Sequence, residues 1–210
     1  SLNYWKRQNL KIIINLRIYL KEIYNMIDTD RKYLHGGTLL GSFRNNDIIP
    51  FDDDADICIW VKDQSEISQI KKKIIERSKD KYEYKEMHFG CTLRINNLGV
   101  DIFFFFKLNE EIIAFNDIKS RNLWPTHYYY IEELQNPNKI NILENSYNIC
   151  NNTKNVLTRF YGDWEIMRIT HIHYNPTGKF TERFLYGFKY FITNYILLKI
   201  LKLLNFNRIT

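Results

Sequence analysis

The stretch of sequence that decides the fold, residues 35–60, reads HGGTLLGSFRNNDIIPFDDDADICIW. Four aspartates, at positions 52, 53, 54 and 56, stand directly before the apolar run ICIW. Two unit charges about 5 Å apart repel by about 3 kcal/mol at an effective dielectric of about 20, and burial adds a desolvation cost. A fold keeps such carboxylates where a cation neutralises them or where the loop is solvated, and the second interpretation suits Asp52 and Asp53.

The aspartates continue into residues 54–61, DADICIWV, whose alternation predicts a β-strand with Asp54 and Asp56 on one face. Downstream, the apolar run VDIFFFF, residues 100–106, encloses Asp101. A lone aspartate in a central strand is costly unless it is paired or binds a metal. If the two strands are neighbours, the three carboxylates offer the hard oxygen ligands that Mg²⁺ or Mn²⁺ prefers.

A Gly-Gly-Thr turn, residues 36–38, precedes the segment LLGSFR, which predicts the opening turns of a helix. Threonine is a common N-terminal cap, and we expect Thr38 to cap this helix. Such a turn presents backbone N–H groups and the positive end of a helix to a phosphate. Together with carboxylates and a divalent cation, it predicts a site for metal-assisted phosphoryl or nucleotidyl transfer.

Hydrophobic spacing predicts the remaining elements of an α+β fold. Residues 5–28 and 64–79 predict amphipathic helices, whereas residues 107–158 show a weaker pattern of short elements and Asn-rich loops. Further predictions are strands at 81–88, 91–96 and 99–106, a turn at Asn96–Gly99, a helix at 155–168 with a stop at Gly162, and a helix at 181–204. The side chains expected on the buried faces of the first two helices are Leu10, Ile13, Ile14, Leu20, Ile23, Ile27, Ile67, Ile70, Ile74 and Ile75.

The composition of the 210 residues, 45% hydrophobic and 16% aromatic, is typical of a packed globular protein and excludes a disordered chain. The net charge of +6 is uneven, because residues 1–33 carry +4, residues 34–158 carry −3 and residues 159–210 carry +5. Basic ends suit a polyanionic ligand or an anionic membrane surface, and equally suit solvated lysines on helices. Three cysteines without a CxxC motif argue against a disulfide framework or a zinc knuckle.

Four segments, taken in order, carry a resemblance to a known family. They are GGTLLG at 36–41 with Arg44, IPFDDDAD at 49–56, VDI at 100–102 and VLTRFYGDW at 156–164. This series resembles the LicD/fukutin family, within the nucleotidyltransferase-fold superfamily, and the resemblance covers roughly residues 8–165. Phe51 stands where tryptophan is commoner in that family, and nothing after residue 175 carries the resemblance.

The resemblance implies a nucleotidyltransferase-like mixed β-sheet flanked by helices. It places a catalytic domain over residues 1–175 and leaves a basic amphipathic helix at residues 176–210. It also implies a transferase that moves phosphocholine, or a polyol phosphate such as ribitol phosphate, from a CDP-linked donor to a hydroxyl of a glycan or lipid-linked glycan, releasing CMP. Such an enzyme contributes to cell-surface polysaccharide biosynthesis, and no nucleic-acid partner is expected.

Carried onto this sequence, the resemblance assigns Mg²⁺ or Mn²⁺ binding to Asp54, Asp56 and Asp101. Either Asp56 or Asp101 is also a candidate for accepting the proton of the acceptor hydroxyl. Arg44 is expected to neutralise charge on the transferred phosphate or the leaving group, and an ion pair with a nearby aspartate is its alternative role. The residues expected to contact phosphate are Gly36, Gly37 and Thr38.

Two other functions remain open from the sequence. An enzyme of the same fold could use an NTP to modify RNA or protein, which the net charge of +6 permits, or the chain is a non-catalytic homologue of an active transferase. The helix at 181–204 suits a membrane surface, the protein core or a second subunit. We expect a cytoplasmic location at the membrane periphery because no signal peptide opens the chain, and a Golgi lumen location if the source is eukaryotic.

Aromatic residues form a further candidate feature. Trp124 with Tyr128–Tyr130 suits a choline-binding cage through cation–π contact, or else core packing or a sugar-stacking surface. Tyr161 and Trp164, in the segment FYGDW, are expected to pack beneath the site.

Overall fold

The structure, a computed structural model, describes residues 2–50 and 52–165, with side chains from Leu10 onward. The predicted helix at 181–204 and the predicted domain boundary at 175 lie outside these residues. The helices and strands are α1 (Leu2–Met26), β1 (Lys32–Leu34), α2 (Gly36–Asn45), β2 (Asp54–Trp60), α3 (Gln64–Ser78), β3 (Glu83–Met87), β4 (Gly90–Ile95), β5 (Leu98–Lys107), β6 (Ile112–Phe115), α4 (Ile118–Leu123), β7 (Tyr128–Tyr130), α5 (Ile131–Gln135), β8 (Asn138–Ile142), β9 (Asn145–Ile149) and α6 (Thr153–Tyr161).

A mixed sheet of seven strands forms the centre of the fold. Five strands lie in the order β1-β2-β5-β4-β3, β6 pairs with the end of β5, and β7 pairs with β6. Strands β2 and β5 are parallel, whereas the other pairs in this sheet are antiparallel. A parallel pair needs a crossover connection, which α3 and the β3–β4 hairpin supply. The predicted α+β class with a mixed sheet is therefore confirmed.

Strand β5 lies inside the sheet, since it pairs with both β2 and β4. The sequence of a strand that is covered on both faces of the sheet is a continuous run of apolar residues. Accordingly, Ile102 and Phe105 are fully buried and Phe104 is 2% exposed. Asp101 interrupts this run and therefore places a carboxylate in the interior of the sheet.

The two amphipathic helices bury slightly different faces from those predicted. Leu10 and Ile14 in α1 are 55% and 43% exposed, and Ile75 in α3 is 42% exposed, so these three predictions are wrong. Ile14 and Ile75 directly follow the buried Ile13 and Ile74, and because successive helical residues are turned by about 100°, both lie off the buried stripe. Leu10 lies one turn before Ile13, the first buried residue of the α1 stripe. The buried side chains are Ile13, Leu16, Leu20, Ile23 and Ile27 in α1 and Ile67, Ile70 and Ile74 in α3.

The turn between β4 and β5 consists of Asn96 and Asn97, two residues rather than the predicted four, with φ of 51° and 67°. Positive φ at two successive residues is typical of a tight hairpin turn, and asparagine tolerates that conformation. The tight turn fixes the register of the hairpin, in which Arg94 lies opposite Gly99 and Thr92 lies opposite Asp101.

The segment 107–158 holds more regular structure than its weak pattern predicts. Strands β6 to β9 and helices α4 and α5 are three to six residues long, which is too short for a hydrophobic period to show. Helix α6 begins at Thr153 and stops before Gly162, which confirms the predicted stop. Strands β8 and β9 form a separate two-stranded sheet.

Residues Arg7–Gly162 form one compact unit, which carries the seven-stranded sheet and all residues of the predicted site. A second unit, Ser1–Lys6 with Asp163–Thr210, consists mostly of residues outside the described ranges. Among the described residues, no helix combines the length and the apolar character needed to cross a bilayer.

Candidate active site

Neighbouring strands bring the predicted carboxylates together. In the parallel pair β2–β5, Asp56 lies in register with Asp101, and Asp54 lies in register with Gly99. Registered side chains on neighbouring strands point to the same face, and the strands lie about 4.8 Å apart. Asp54, Asp56 and Asp101 therefore lie on one face of the sheet, as the sequence predicts.

The turn between β1 and α2 holds Asp56 in place. The backbone N–H of Gly37 donates to Oδ2 of Asp56 at 2.8 Å, and the N–H of Asp56 donates to Oγ1 of Thr38 at 2.8 Å. The N–H of His35 donates to the carbonyl oxygen of Asp56 at 3.1 Å. Gly36 has a φ of +50°, and a Cβ at this residue would lie 2.5 Å from Oδ2 of Asp56. The glycine turn thus lets the Asp56 carboxylate approach the helix N-terminus closely.

This geometry corrects one expectation about the turn. Helix α2 begins at Gly36, with His35 at the N-cap position, so the prediction that Thr38 caps the helix is wrong. Thr38 is 1% exposed and its hydroxyl oxygen accepts the backbone N–H of Asp56, while its predicted contact with a phosphate stays a prediction. Gly36 is also buried, and the N–H of Gly37 is directed at Asp56. A carboxylate of the protein itself occupies the position that the helix dipole makes favourable for an anion.

The residues before β2 form a second group of carboxylates. One ligand oxygen from each of Asp52, Asp53 and Asp54 lies within 4.8 Å of the others, and Asp53 is exposed. Asp52 lies against α2, because a Cβ at Gly37 would be 3.2 Å from its Oδ2. The interpretation of Asp52 as part of a solvated loop is therefore wrong. The N–H of Gly99 donates to the carbonyl oxygen of Asp53 at 3.1 Å and ties this segment to β5.

The electrostatics of the carboxylates favour a bound cation. Burial raises the pKa of Asp56 well above its usual range, and the negative charges of Asp54, Asp101 and Asp52 raise it further. Burial, followed by the charges of Asp54 and Asp53, raises the pKa of Asp52 to about 8. A divalent cation would offset both the repulsion and the desolvation, and oxygen-only donors of this kind suit Mg²⁺ or Mn²⁺. Among the described residues, the three carboxylates with ligand oxygens within 4.8 Å of one another are Asp52, Asp53 and Asp54, so this group fits a divalent cation. The assignment of the metal to Asp54, Asp56 and Asp101 stays a prediction.

Arg44 lies in the last turn of α2. It follows Gly37 by two helical turns, which places both residues on the same face of the helix and about 10 Å apart along its axis. The side chain is half-buried, and burial lowers its pKa. Its predicted contact with a phosphate stays a prediction.

The phenol of Tyr161 lies near the carboxylates. Tyr161 is the last residue of α6, and 37% of its surface is exposed. Its pKa is raised, first because the hydroxyl is shielded from water and then because of the negative charges of Asp56, Asp52 and Asp54. The expectation that Tyr161 packs beneath the site is therefore only partly right, since the residue borders the carboxylates and is also reached by solvent.

Strand β4 contributes two residues that sequence analysis missed. Thr92 lies opposite Asp101 and Arg94 lies opposite Gly99, so both share the face that carries the carboxylates. A usable signal was present, because a two-residue turn at Asn96 and Asn97 determines this register. Because we predicted a four-residue turn, this register was not predicted from the sequence.

The aromatic residues do not form one cage. The guanidinium of Arg159 lies over the rings of Tyr128 and Tyr130, 4.6 and 5.0 Å from their centroids, so a side chain of the protein takes the position of a bound cation. Trp124 instead packs against Phe115, with ring centroids 5.5 Å apart, and against Phe103 at 6.2 Å. Core packing is therefore the interpretation that the structure supports for Trp124.

This chain is similar to a known family and to two curated proteins. The family model described as LicD/FKTN/FKRP, nucleotidyltransferase domain, matches residues 30–142, more than half of the 210 residues. Uncharacterized protein RP689 of Rickettsia prowazekii (strain Madrid E) is 29% identical over 126 residues, and Uncharacterized protein RT0683 of Rickettsia typhi (strain ATCC VR-144 / Wilmington) is 26% identical over 126 residues. The aligned stretch is 59% of this chain but 45% and 38% of those proteins, so the chain spans less than half the length of the curated relatives it matches.

Two solved structures show a weak likeness to this chain. The crystal structure of ANT(2″)-Ia in complex with adenylyl-2″-tobramycin gives a TM-score of 0.43 at 12% identity, covering 89% of this chain and 92% of that one. The structure of the E. coli MS115-1 CdnC:HORMA-deltaN complex gives a TM-score of 0.31 at 12% identity, covering 55% of this chain and 39% of that one.

Proposed function

This chain belongs to the LicD/FKTN/FKRP family through its nucleotidyltransferase domain, and on that premise we propose that it is a metal-dependent transferase. The donor is a CDP-linked compound, the transferred group is phosphocholine or a polyol phosphate such as ribitol phosphate, and the acceptor is a hydroxyl of a glycan or lipid-linked glycan. CMP is the second product.

One observation carries the proposal: the register that places Asp56 beside Asp101 on neighbouring strands, with Asp54 on the same face. Three carboxylates in the interior of a sheet are costly for the folded protein unless a cation balances them. Because the Asp56 carboxylate already accepts the Gly37 N–H at the start of α2, an anionic substrate is expected to bind through the cation. A metal complex of a diphosphate satisfies both conditions.

We assign the metal to Asp54, Asp56 and Asp101. Bound there, Mg²⁺ would neutralise charge on the diphosphate oxygens. Gly37 donates its N–H to one oxygen of Asp56 and fixes the direction of that carboxylate, while Thr38 fixes the backbone on which it stands. The second group, Asp52 to Asp54, offers oxygen ligands on the side that faces α2.

The reaction conserves atoms and charge as follows. The oxygen of the acceptor hydroxyl attacks the phosphorus of the transferred group, and its proton passes to a carboxylate, Asp56 or Asp101, and then to solvent. The bond between that phosphorus and the oxygen of CMP breaks, and CMP leaves with the electron pair. Arg44, half-buried in α2, is our candidate for balancing the charge that develops on the phosphates.

A donor screen tests this proposal. Purified protein is incubated with Mg²⁺, an acceptor glycan and CDP-choline or CDP-ribitol, and released CMP is measured. We expect release with one donor, its loss in EDTA, and a decrease of about 100-fold or more for each of Asp54→Asn, Asp56→Asn and Asp101→Asn. Asp80→Asn, at an exposed aspartate, is the matched control and retains full activity.

The same screen separates the alternatives. Label transfer from CTP or ATP to RNA or protein, without reaction of either CDP-linked donor, would favour an NTP-using enzyme. Failure to bind both Mg²⁺ and nucleotide would favour a non-catalytic homologue. Full activity in EDTA, or in any of the three aspartate variants, would refute the proposed mechanism.

A further inference from the structure

The side chain of Arg94 lies across β5 next to the carboxylates. A Cβ at Gly99 would be 3.0 Å from Cγ and 3.2 Å from Nε of Arg94, so the arginine occupies the space that the glycine leaves open. Gly99 is in register with Asp54 on its other side. The side chain of Arg94 therefore lies over the sheet face on which the candidate metal ligands lie.

The hydroxyl of Thr92 lies beside this arginine. Its Oγ1 would be 3.4 Å from the same Cβ position, and Thr92 is directly opposite Asp101 in the β4–β5 pair. Thr92 is 3% exposed, and its Oγ1 is buried without a hydrogen-bond partner in the described part of the chain. A buried hydroxyl without a partner destabilises the folded protein, and a ligand that accepts its hydrogen bond would recover that cost.

Arg94 is a half-buried cation that makes no ion pair or hydrogen bond with other described side chains. Its partner is therefore expected to come from outside the chain. A guanidinium presents five N–H donors in a planar fork that matches the oxygens of a phosphate.

The two sides of the carboxylates present different groups to a ligand. On the β2 side stands the N-terminus of α2, held to Asp56 through Gly37. On the β4 side stand Arg94 and Thr92. Since Asp56 already accepts the Gly37 N–H on the α2 side, the groups left for a phosphate near the carboxylates are those of Arg94 and Thr92.

We propose that Arg94, together with the hydroxyl of Thr92, binds a phosphate of the donor on the β4 side of the carboxylates. This inference rests on the proposed function for the identity of the donor, although the phosphate contact itself requires only a metal–diphosphate ligand. Gly99 is part of the subsite because its missing side chain leaves room for the arginine.

Binding of magnesium pyrophosphate, measured by isothermal titration calorimetry on the whole chain, tests the subsite. We expect Arg94→Ala to weaken binding at least about 10-fold and Arg94→Lys to weaken it less, because lysine keeps the charge but loses the fork. Lys139→Ala is the matched control: it removes one positive charge from an exposed residue of β8, in the separate sheet, and leaves the affinity unchanged.

Two further variants separate ligand binding from a role in folding. Gly99→Ala keeps the arginine in the sequence but forces its side chain to shift, and we expect weaker pyrophosphate binding with thermal unfolding close to that of the wild type. Thr92→Val removes a hydroxyl that lacks a protein partner, so we expect weaker binding without a lower unfolding temperature.

The outcomes distinguish this inference from the proposed function. Equal affinity of wild type, Arg94→Ala and Gly99→Ala for magnesium pyrophosphate would overturn the subsite, and so would the absence of measurable binding to the wild type. If binding depends on Arg94 while no CDP-linked donor is turned over, the proposed function fails and the subsite stands. If a donor is turned over equally well by wild type and Arg94→Lys or Arg94→Ala, the function stands and the subsite fails.

Discussion

At the scale of single residues, Gly36 decides where the Asp56 carboxylate lies. Its φ of +50° lies in a region that side chains other than glycine rarely adopt, and the space where a Cβ would stand is taken by the carboxylate. Gly41 acts similarly one turn later, since a Cβ there would lie 2.7 Å from the carbonyl oxygen of Asp47. The motif GGTLLG is thus explained by close approach of backbone and carboxylate to α2.

We predict that Gly36→Ala lowers transferase activity more than about 10-fold and lowers the free energy of unfolding by about 1–3 kcal/mol, because it both strains the backbone and displaces Asp56. Gly162→Ala is the matched control, since Gly162 has a φ of +68° but no atom within 4 Å of its Cβ position. We expect Gly162→Ala to lower the free energy of unfolding and to keep the transferase activity of the wild type. CMP release and urea unfolding measure the two effects, and wild-type activity in Gly36→Ala would contradict the prediction.

At the scale of elements, a buried ion pair joins α6 to β7 and α5. Arg159 pairs with Glu133, and their side chains are 14% and 4% exposed. Glu133 also accepts the N–H of Tyr130 at 2.9 Å, and Arg159 donates to the carbonyl oxygen of Tyr128 at 3.1 Å. The pair satisfies backbone groups at both ends of a three-residue strand, so α6 and its terminal Tyr161 are held against the sheet.

We predict that Arg159→Met lowers the free energy of unfolding by about 3–5 kcal/mol, because it leaves the Glu133 carboxylate buried without its cation. Adding Glu133→Gln should recover part of this loss, since the double variant buries no charge. The ion pair of Arg31 and Glu66, whose side chains are 27% and 24% exposed, gives the control. Arg31→Met should lower the free energy of unfolding by about 1 kcal/mol or less. Urea unfolding is the measurement, and equal losses for both arginine variants would contradict the prediction.

At the scale of the whole molecule, two histidines pack among the aromatic side chains between the start of α2, β7 and α6, where His35 is buried and His127 is half-buried. Nδ1 of His35 lies 2.8 Å from the hydroxyl of Tyr129, and the ring of His127 stacks on Phe160 with centroids 4.3 Å apart. Burial lowers the pKa of His127 to about 4 and holds the pKa of His35 well below its usual range. Both histidines are therefore neutral in the folded protein at neutral pH.

This burial makes the fold sensitive to acid. The unfolded chain binds protons near pH 6.5, whereas folded His127 does so only near pH 4, so stability is complete above pH 6.5 and falls as the pH drops toward 4. For His127 the loss between pH 7.5 and pH 5 is about 2 kcal/mol. We predict that His127→Phe, which keeps the stacking on Phe160, loses about 2 kcal/mol less than the wild type over this range. Urea unfolding at both pH values measures it, and parallel losses in the two proteins would contradict it.

The sequence alone predicted the parts of the molecule whose signals are local. The alternation around Asp54 and Asp56, the apolar run around Asp101 and the stop at Gly162 each depend on residues that are adjacent in the chain. The motifs also predicted the family. Short elements were expected between residues 107 and 158, but their positions and types were not predicted. Strands of three to five residues are too short to show a hydrophobic period, and they form where a sheet edge is available for pairing.

Only the tertiary structure decided which side chains from different helices and strands face one another. The contacts of Gly37 and Thr38 with Asp56 could not be predicted from the sequence, because they depend on the close packing of α2 on β2. The sequence left Arg94 unnoticed, since only the β4–β5 register places that cation beside the carboxylates. Local propensity is set by neighbours in the chain, whereas the partner of a buried polar group is set by register and packing between distant segments, and these are fixed only when the whole sheet has formed.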